Sequence, residues 1–393
     1  MKRILTITFL NFFISGGLTL TIPLLLLERN VNIVEIGLII AILPIVFLIA
    51  RLFMAAIADL KGWSRFYLLL NWPYSLLATL LYFIANSTPI FLLGKIAEAC
   101  KESAYWAVNR TAIFSLAPNR EEKEATRNTA IIFLATAIGS ATAGLGISTV
   151  GFSFTLGIFV ATATAIGAPA TALWKTGQNF KPKNAQTRKL FELKNYGRKF
   201  WLVSIALLFF SLAYYPLLNL LLPVFMAQQL GYNYLTIGVS YMLFNMIAGI
   251  SIFGTLKFHL GTKRAILQSS IALFASAFLA YSNLYFPALF LALAAAEGLG
   301  MGFFEAIIAK ATKNRPSVSV DIALLHVPMR FAEFISLLYA GIAVEALGYA
   351  SMFILSGIFF TVFSAFAVSL FKNNGNTQQP LHLQGNRANY AIY

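Results

Sequence analysis

The feature that most constrains this chain is a series of apolar stretches, each about as long as a membrane-crossing helix. Such a helix needs roughly 20 mostly apolar residues. The sequence contains twelve stretches of this kind, which predict spans 1 to 12 at about 4–27, 33–57, 66–85, 89–114, 127–148, 153–174, 200–227, 234–256, 265–283, 286–309, 322–344 and 349–371. The sequence therefore predicts an all-α integral membrane protein with twelve transmembrane helices.

The composition indicates burial in lipid rather than in a soluble core. The chain is 59% hydrophobic and 11% charged, whereas soluble globular chains carry about a quarter charged residues. In a soluble protein, the net charge of +15 would indicate a nucleic-acid partner. Here the positive residues lie between the apolar stretches, as the positive-inside rule requires. We therefore expect the lipid bilayer, and no nucleic acid, as a partner of this chain.

One polar run divides the chain into two similar halves. Residues 175–199 contain one acid, Glu192, and eight bases, namely Lys175, Lys181, Lys183, Arg188, Lys189, Lys194, Arg198 and Lys199. Short sequences recur across this run at an offset near 200 residues, for example Ala97-Glu98 and Ala296-Glu297. Duplicated halves are a common transporter architecture. We expect a six-helix bundle at 1–174, a basic cytoplasmic linker at 175–199, a second six-helix bundle at 200–371 and a disordered cytoplasmic tail at 372–393.

The basic residues also predict the orientation of the chain. If the N-terminus is cytoplasmic, the loops on the opposite side hold only Arg29, and the other loop bases lie on the cytoplasmic side. Positive residues mark cytoplasmic loops. We therefore expect a multi-pass protein of the plasma or inner membrane, with both termini in the cytoplasm.

Two loops at equivalent places in the halves share a pattern of a small residue, an acid, a glycine and bases. The loop after span 2 contains Asp59, Gly62 and Arg65, with Ala55 at the small position. The loop after span 8 has Phe258 at the position of the acid. It keeps the other elements of the pattern, namely Gly254, Gly261, Lys263 and Arg264. Together with twelve spans in two halves, these loops resemble the signature of the major facilitator superfamily, and the resemblance covers everything except the tail.

This resemblance implies two six-helix bundles around a central cavity, lined by spans 1, 4, 7 and 10 and flanked by spans 2, 5, 8 and 11. It also implies that Asp59 contacts the start of span 11 and helps to close the cytoplasmic side. Helix N-termini carry partial positive charge, so this contact is favourable. The alternative is that Asp59 and the loop bases only set the topology. We expect a monomer without a cofactor.

Span 4 carries the densest group of polar residues inside an apolar stretch. One helical face contains Lys95, Glu98, Glu102, Tyr105, Trp106 and Asn109, with Lys101 at its flank. The two glutamates lie roughly 13–20 Å from the external start of the helix, near the middle of the bilayer. Charged residues at that depth normally face the bundle interior or a water-filled cavity.

Spans 10 and 11 carry the other charges within apolar stretches. Glu297 lies at a depth similar to that of Glu98, and Glu305 lies nearer the cytoplasm. Span 11 places three residues on one face, namely His326, Arg330 and Glu333. We regard these residues as candidates for the cavity. The alternative is that Lys95–Glu98, Lys101–Glu102 and Arg330–Glu333 are structural ion pairs that seldom meet a substrate.

Four of these acids are candidates for proton coupling. Burial favours the protonated form of a carboxylate, and a neighbouring base opposes this. Glu297 has no basic residue within one turn of its own helix, so we expect a proton to balance its charge. We predict Glu297 as the leading proton carrier and Glu98 as the next, with Glu102 and Glu333 as further candidates.

These observations favour a secondary active transporter that works by alternating access and is coupled to protons. A passive facilitator on the same fold remains open, as does a membrane-embedded lipid-modifying enzyme or a regulatory membrane protein. The sequence contains no Walker-type phosphate loop, H-E-x-x-H or G-x-S-x-G, so we expect no catalytic residues and no metal site. The mixed charges of spans 4, 10 and 11 leave neutral, zwitterionic or cationic organic molecules as candidate substrates.

Overall fold

The computed structural model describes residues 1–61, 64–109, 112–113, 121–175, 196–257, 261–281, 283–312 and 318–372. Within these ranges, the side chains of residues 59–61, 64, 121–123, 125–126, 256–257, 309–310, 318 and 371–372 fall outside the description. The described residues form helices joined by short turns, and no strand occurs within them. The all-α prediction is therefore confirmed for this part of the chain.

The helices follow the apolar stretches closely. The first half contains α1 (Lys2–Glu28), α2 (Ile33–Lys61), α3 (Ser64–Ile84), α4 (Thr88–Trp106) and α5 (Glu121–Trp174). The second half contains α6 (Arg198–Pro216), a π-helical turn (Leu217–Leu221), α7 (Leu222–Gln228), α8 (Tyr234–Lys257), α9 (Thr262–Leu279), α10 (Phe286–Thr312), α11 (Val318–Leu325) and α12 (Val327–Lys372).

Two long helices are broken at a glycine. α5 is 54 residues long and has non-helical backbone at Gly151, where φ is 84°. α12 is 46 residues long and has non-helical backbone at Gly348, where φ is 75°. Glycine adopts positive φ without the steric cost of a side chain. Both breaks lie in the gaps predicted between spans 5 and 6 and between spans 11 and 12.

The second half contains an irregular segment that the sequence analysis did not predict. The stretch expected as one helix at 200–227 is divided by the π-helical turn Leu217–Leu221. Pro223 has no N–H for the carbonyl four residues earlier, at Asn219, so the regular hydrogen-bond ladder cannot continue there. Single π-helical turns of this kind are often found at functional sites.

Span 4 also differs from its prediction. The continuous helix ends at Trp106 rather than near 114. The N–H of Val108 bonds the carbonyl of Tyr105, three residues earlier, so the chain tightens out of the α-helical ladder at this point. Hydropathy does not record such a change, because apolar residues such as Ala107, Val108, Ala112 and Ile113 continue the stretch beyond it.

The apolar lengths of these helices indicate a multi-pass membrane protein. Within the described residues, eight helical segments are long and apolar enough to cross a membrane. Two of them, Arg127–Trp174 and Ser319–Leu370, contain 48 and 52 residues, whereas one crossing needs roughly 20. Each of these two segments is therefore long enough for two crossings.

The two halves meet mainly where α2 packs against α11 and α12 and where α5 packs against α8, and α1 adds smaller contacts with α7 and the π-helical turn. Glycines allow the helices of the two halves to approach each other closely at the end of the molecule that contains Glu28, which we call the Glu28 end. A Cβ atom added to Gly144 would lie 2.6 Å from the Cα of Gly238, and one added to Gly341 would lie 2.6 Å from the carbonyl of Ile33. At these glycines, the helices of the two halves therefore approach each other backbone to backbone.

Candidate functional site

The first buried ion pair lies on α4. The ammonium of Lys95 donates to Oε2 of Glu98 over 2.9 Å, and both residues are 4% exposed. The hydroxyl of Tyr82 on α3 donates to the same carboxylate oxygen over 2.6 Å. Spacing of three residues on a helix brings the two charges together, and Tyr82 holds the carboxylate in place from a second helix.

The second pair lies one turn further along α4 and is tied to α1. Lys101 is fully buried and contacts Oε1 of Glu102 at 2.9 Å. The ammonium of Lys101 also donates to the hydroxyl of Ser15 over 2.7 Å, and Ser15 donates to Glu102 over 2.6 Å. The indole N–H of Trp106 donates to the other oxygen of Glu102 over 3.1 Å. This pair is therefore enclosed in a hydrogen-bonded network within the first half.

The third pair lies on α12 and contacts both halves. Arg330 donates to Oε2 of Glu333 over 2.5 Å. Its guanidinium carbon lies 4.3 Å from the ring centre of Phe47 on α2 and 5.0 Å from that of Tyr215 on α6. A cation over an aromatic face is attracted by the ring's charge distribution. Arg330 therefore joins the second half to α2 of the first half through Phe47.

A small cavity lies between the halves, beside two of these pairs. Its polar wall residues are Thr19, Lys95, Glu98, Asn219 and Glu333. They come from α1, α4, the π-helical turn and α12. The cavity has about 40 Å³ of space for the centres of water-sized molecules, which is room for a few waters. Binding of a larger molecule therefore requires the halves to separate.

The rest of the cavity wall is apolar. It consists of Pro23 on α1, Ile40, Leu43 and Pro44 on α2, and Leu337 on α12. Apolar walls with a few placed polar groups are typical of small-molecule sites. Here the polar groups include charges of both signs, so the cavity can recognise charge as well as shape.

Glu297 on α10 has a different environment from the other buried acids. It is 2% exposed, and its Oε2 atom has no hydrogen-bond partner. Tyr214, Tyr215 and Tyr241 lie near enough to interact with its charge, and Tyr214 is the nearest hydrogen-bonding neighbour. No cation pairs with Glu297 within the part of the chain that the structure describes. An ionised Glu297 would therefore be uncompensated.

The other candidates of span 4 lie apart from the cavity. The hydroxyl of Tyr105 forms a 2.8 Å hydrogen bond with that of Thr8, and Asn109 donates to Tyr105 over 2.7 Å. Thr8 also donates to Asn128 on α5 over 2.9 Å. These residues form a buried polar cluster that joins α1, α4 and α5.

Two candidates of the second half also lie outside the cavity wall. His326 stands between α11 and α12, where Nδ1 lies 2.6 Å from the carbonyl of Ile322 and the ring packs on Phe304. Glu305 on α10 is partly buried. Within the described ranges, no group of three or more His, Cys, Asp and Glu residues lies close enough to hold a metal ion.

The predicted gating loops fall partly outside the described residues. Gly62 and the side chain of Asp59 are among those outside, so the contact of Asp59 with span 11 stays a prediction. Arg65 is buried at the start of α3, and Gly254 lies within α8. The remaining residues of the second loop lie at the start of α9, where Gly261 is the N-cap and the first turn contains Lys263 and Arg264.

Several residues of the site were missed by sequence reasoning. Tyr82, Phe47 and Ser15 lie in apolar stretches, and their contacts with Glu98, Arg330 and Glu102 depend on how separate helices pack. Asn219 was visible as a polar residue inside an apolar run, three residues after Pro216 and four residues before Pro223. That combination was the signal for a disrupted helix facing a cavity.

Comparison with known proteins adds to this geometry. A family model described as Major Facilitator Superfamily matches residues 4–308. Among solved structures, the fold is similar to that of a bacterial homolog of the human lysosomal transporter Spinster in an inward-facing and unoccupied conformation. The TM-score is 0.69 at 13% sequence identity, over 97% of this chain and 98% of that one. No curated protein sequence matches the chain.

Proposed function

The chain belongs to the Major Facilitator Superfamily, and from that premise we propose that it is a secondary active transporter of a small organic molecule. In this proposal it works by alternating access and is coupled to protons. The observation that carries the proposal is a cavity between the halves whose wall holds Lys95, Glu98 and Glu333. Charges at such depth normally line the path of a substrate or an ion.

Twelve membrane crossings fit the observed helices best. The breaks at Gly151 and Gly348 divide α5 and α12 into two crossings each. At a rise of 1.5 Å per residue, an unbroken 54-residue helix would be about 80 Å long, whereas the hydrocarbon core is about 30 Å thick. α6 to α7 then form one crossing, and α11 joins the first part of α12.

The proposed arrangement keeps two bundles, at 1–174 and 200–371, with a basic linker at 175–199 and a tail at 372–393. Both termini are then cytoplasmic, as the distribution of basic residues requires. The Glu28 end faces outward, and the cell membrane is the proposed location. Packing between α2 and α12 and between α5 and α8 supplies the surfaces that would separate when one side opens.

Proton coupling rests on the contrast between Glu297 and the paired acids. Glu98, Glu102 and Glu333 each have a base within 2.9 Å. Glu297 is equally buried and is surrounded by tyrosines instead. A carboxylate in such a place is neutral only when it carries a proton, because burying an unpaired charge is costly. Glu297 is therefore the proposed proton carrier.

A passive facilitator on the same fold is the second candidate. The specific observation in its favour is that all three predicted ion pairs form. Paired charges are internally balanced and do not by themselves require a coupling ion. In this alternative, Glu297 stays protonated throughout the transport cycle.

Transport into vesicles separates the two candidates. The purified protein is first screened for ligands by thermal shift, because a ligand that binds the folded state raises its stability. The best ligand is then offered to vesicles containing the protein, with and without an imposed pH gradient. Accumulation above the external concentration only under the gradient supports the transporter. Equilibration without accumulation under both conditions supports the facilitator.

A further inference from the structure

The charged part of the cavity wall is balanced on both sides. Glu98 of the first half is paired with Lys95 at 2.9 Å. Glu333 of the second half is paired with Arg330 at 2.5 Å. Lys95 lines the cavity beside Glu98, whereas Arg330 pairs with Glu333 without lining the cavity. Each acid of the wall therefore has its own base, and the two ion pairs together carry no net charge.

Because each of the two ion pairs is neutral as a whole, they restrict the net charge of a ligand that can bind in the cavity. A ligand with a net charge would bury an uncompensated charge, which is costly in a low-dielectric interior. A ligand without charges would leave the two pairs intact, and its hydrogen bonds to them would be ionised on the protein side only. A ligand with one positive and one negative group can exchange partners with a pair and keep the whole site neutral.

We propose that this cavity binds a small zwitterion, whose anionic group pairs with Lys95 and whose cationic group pairs with Glu98. This inference deepens the proposed transport function and rests on it. The cationic group also faces Glu333 across the cavity, which brings carboxylates of both halves to one ligand. An aliphatic part of the ligand would lie against Pro23 and Leu337.

The present distances fit the state before such a ligand enters. Lys95 and Glu98 contact each other directly, and the cavity has room only for a few waters. An amino-acid-sized ligand enters when the halves separate and inserts its two charged groups between the partners. The internal pair is then replaced by two pairs with the ligand, so the number of ion pairs rises without a change in net charge.

The test uses a ligand library matched in shape and different only in charge. It contains the amino acids with uncharged side chains, their amides as cations and the deaminated acids as anions. Binding to the purified full-length protein is measured by thermal shift and calorimetry. We expect at least one amino acid to bind about tenfold or more tightly than its own amide and its own deaminated acid. Tighter binding of either charged series, or no binding in any series, overturns the proposal.

Variants of the pair test the assignment of each charge. Lys95→Gln removes the base that is paired with Glu98 and should shift the preference to the amides. Glu98→Gln leaves the ammonium of Lys95 alone and should shift the preference to the deaminated acids. Arg127→Gln is the matched control, because Arg127 pairs with Glu124 at 3.8 Å at an exposed position. Unchanged preference in both cavity variants contradicts the assignment.

The double variant Lys95→Gln/Glu98→Gln keeps the proposal testable if the single variants fail to fold. It removes both charges together, so no buried charge is left unpaired. We expect it to purify as folded protein and to show no preference among the three charge series. A preference for zwitterions that persists in the double variant also overturns the proposal.

The proposed function and this inference fail in different ways. If zwitterions bind but do not accumulate under a pH gradient, the substrate class stands and proton coupling fails. If another charge class binds and accumulates under the gradient, coupled transport stands and the zwitterion proposal fails. The binding and accumulation measurements therefore report on separate claims.

Discussion

Charged residues in this protein are stabilised by neighbours that differ from pair to pair. Lys95–Glu98 has Tyr82, Lys101–Glu102 has Ser15 and Trp106, and Arg330–Glu333 has two aromatic rings. Burying charges is favourable only when partners and hydrogen bonds replace water. At the residue scale, the stability of the protein inside the membrane therefore depends on complete ion pairs. Removal of one partner of a pair lowers that stability.

Arg330→Met should destabilise the protein strongly. The substitution leaves the 2% exposed carboxylate of Glu333 without its base, and breaking a buried pair in this way typically costs about 3–5 kcal/mol. Arg127→Met is the control, because the side chain of Arg127 is 58% exposed and exposed pairs contribute about 0–1 kcal/mol. Thermal unfolding in detergent measures both. Equal melting temperatures for the two variants would contradict this account of the pair.

Glu297→Gln should abolish accumulation driven by a pH gradient and preserve exchange of substrate down its gradient. The amide has nearly the same shape as the protonated acid but cannot release a proton. Glu345→Gln is the matched control, since it makes the same change at an exposed position of α12. Both variants are compared with the wild type in vesicle uptake at several pH values. Wild-type accumulation by Glu297→Gln would show that another group carries the proton.

At the scale of the elements, hydropathy located the helices, and two of their breaks lie at glycines within predicted gaps. The apolar stretches were long, so the positions and order of the helices in the described chain could be predicted. The π-helical turn Leu217–Leu221 was missed, because its cause combines a proline with the packing around it. The early end of α4 at Trp106 was missed because apolar residues such as Ala112 and Ile113 follow it.

Gly144→Ala should open the contact between α5 and α8 at the Glu28 end. Its new methyl group would lie 2.6 Å from the Cα of Gly238, which is backbone and cannot move aside. Gly157→Ala, also in α5, is the matched control, because the nearest atom would lie at 3.8 Å. We expect the halves to separate at this end in Gly144→Ala and to keep their packing in Gly157→Ala.

The readout is cross-linking between the halves at the same end. The Tyr234 hydroxyl donates to Glu28 over 2.5 Å, so cysteines at these two positions should react with a short bifunctional thiol reagent. Cys100, the only native cysteine, is replaced by alanine in this background. Cross-linking should fall in Gly144→Ala and stay unchanged in Gly157→Ala. An equal yield in both variants would show that the contact does not control opening.

For the whole molecule, the predictable part of the site was the part carried by single helices. The pairs Lys95–Glu98 and Arg330–Glu333 follow from spacing of three residues along one helix. Their meeting at one cavity, together with Asn219, depends on the packing of α4 of the first half with α12 and the π-helical turn of the second half. A single sequence contains no direct record of that packing, so the sequence predicted the charges and their depth but not their neighbours.

The orientation of the whole molecule can be tested with two cysteines in the Cys100→Ala background. Ser87 is exposed, and it lies at the Glu28 end because Arg29 bonds the carbonyl of Ala85 over 2.7 Å. Thr262 is exposed at the start of α9, beyond the 24 residues of α8, which span about 36 Å. If both termini are cytoplasmic, Ser87→Cys should react with a membrane-impermeant maleimide on intact cells. Thr262→Cys should react only after the cells are permeabilised, and the reverse pattern would invert the proposed topology.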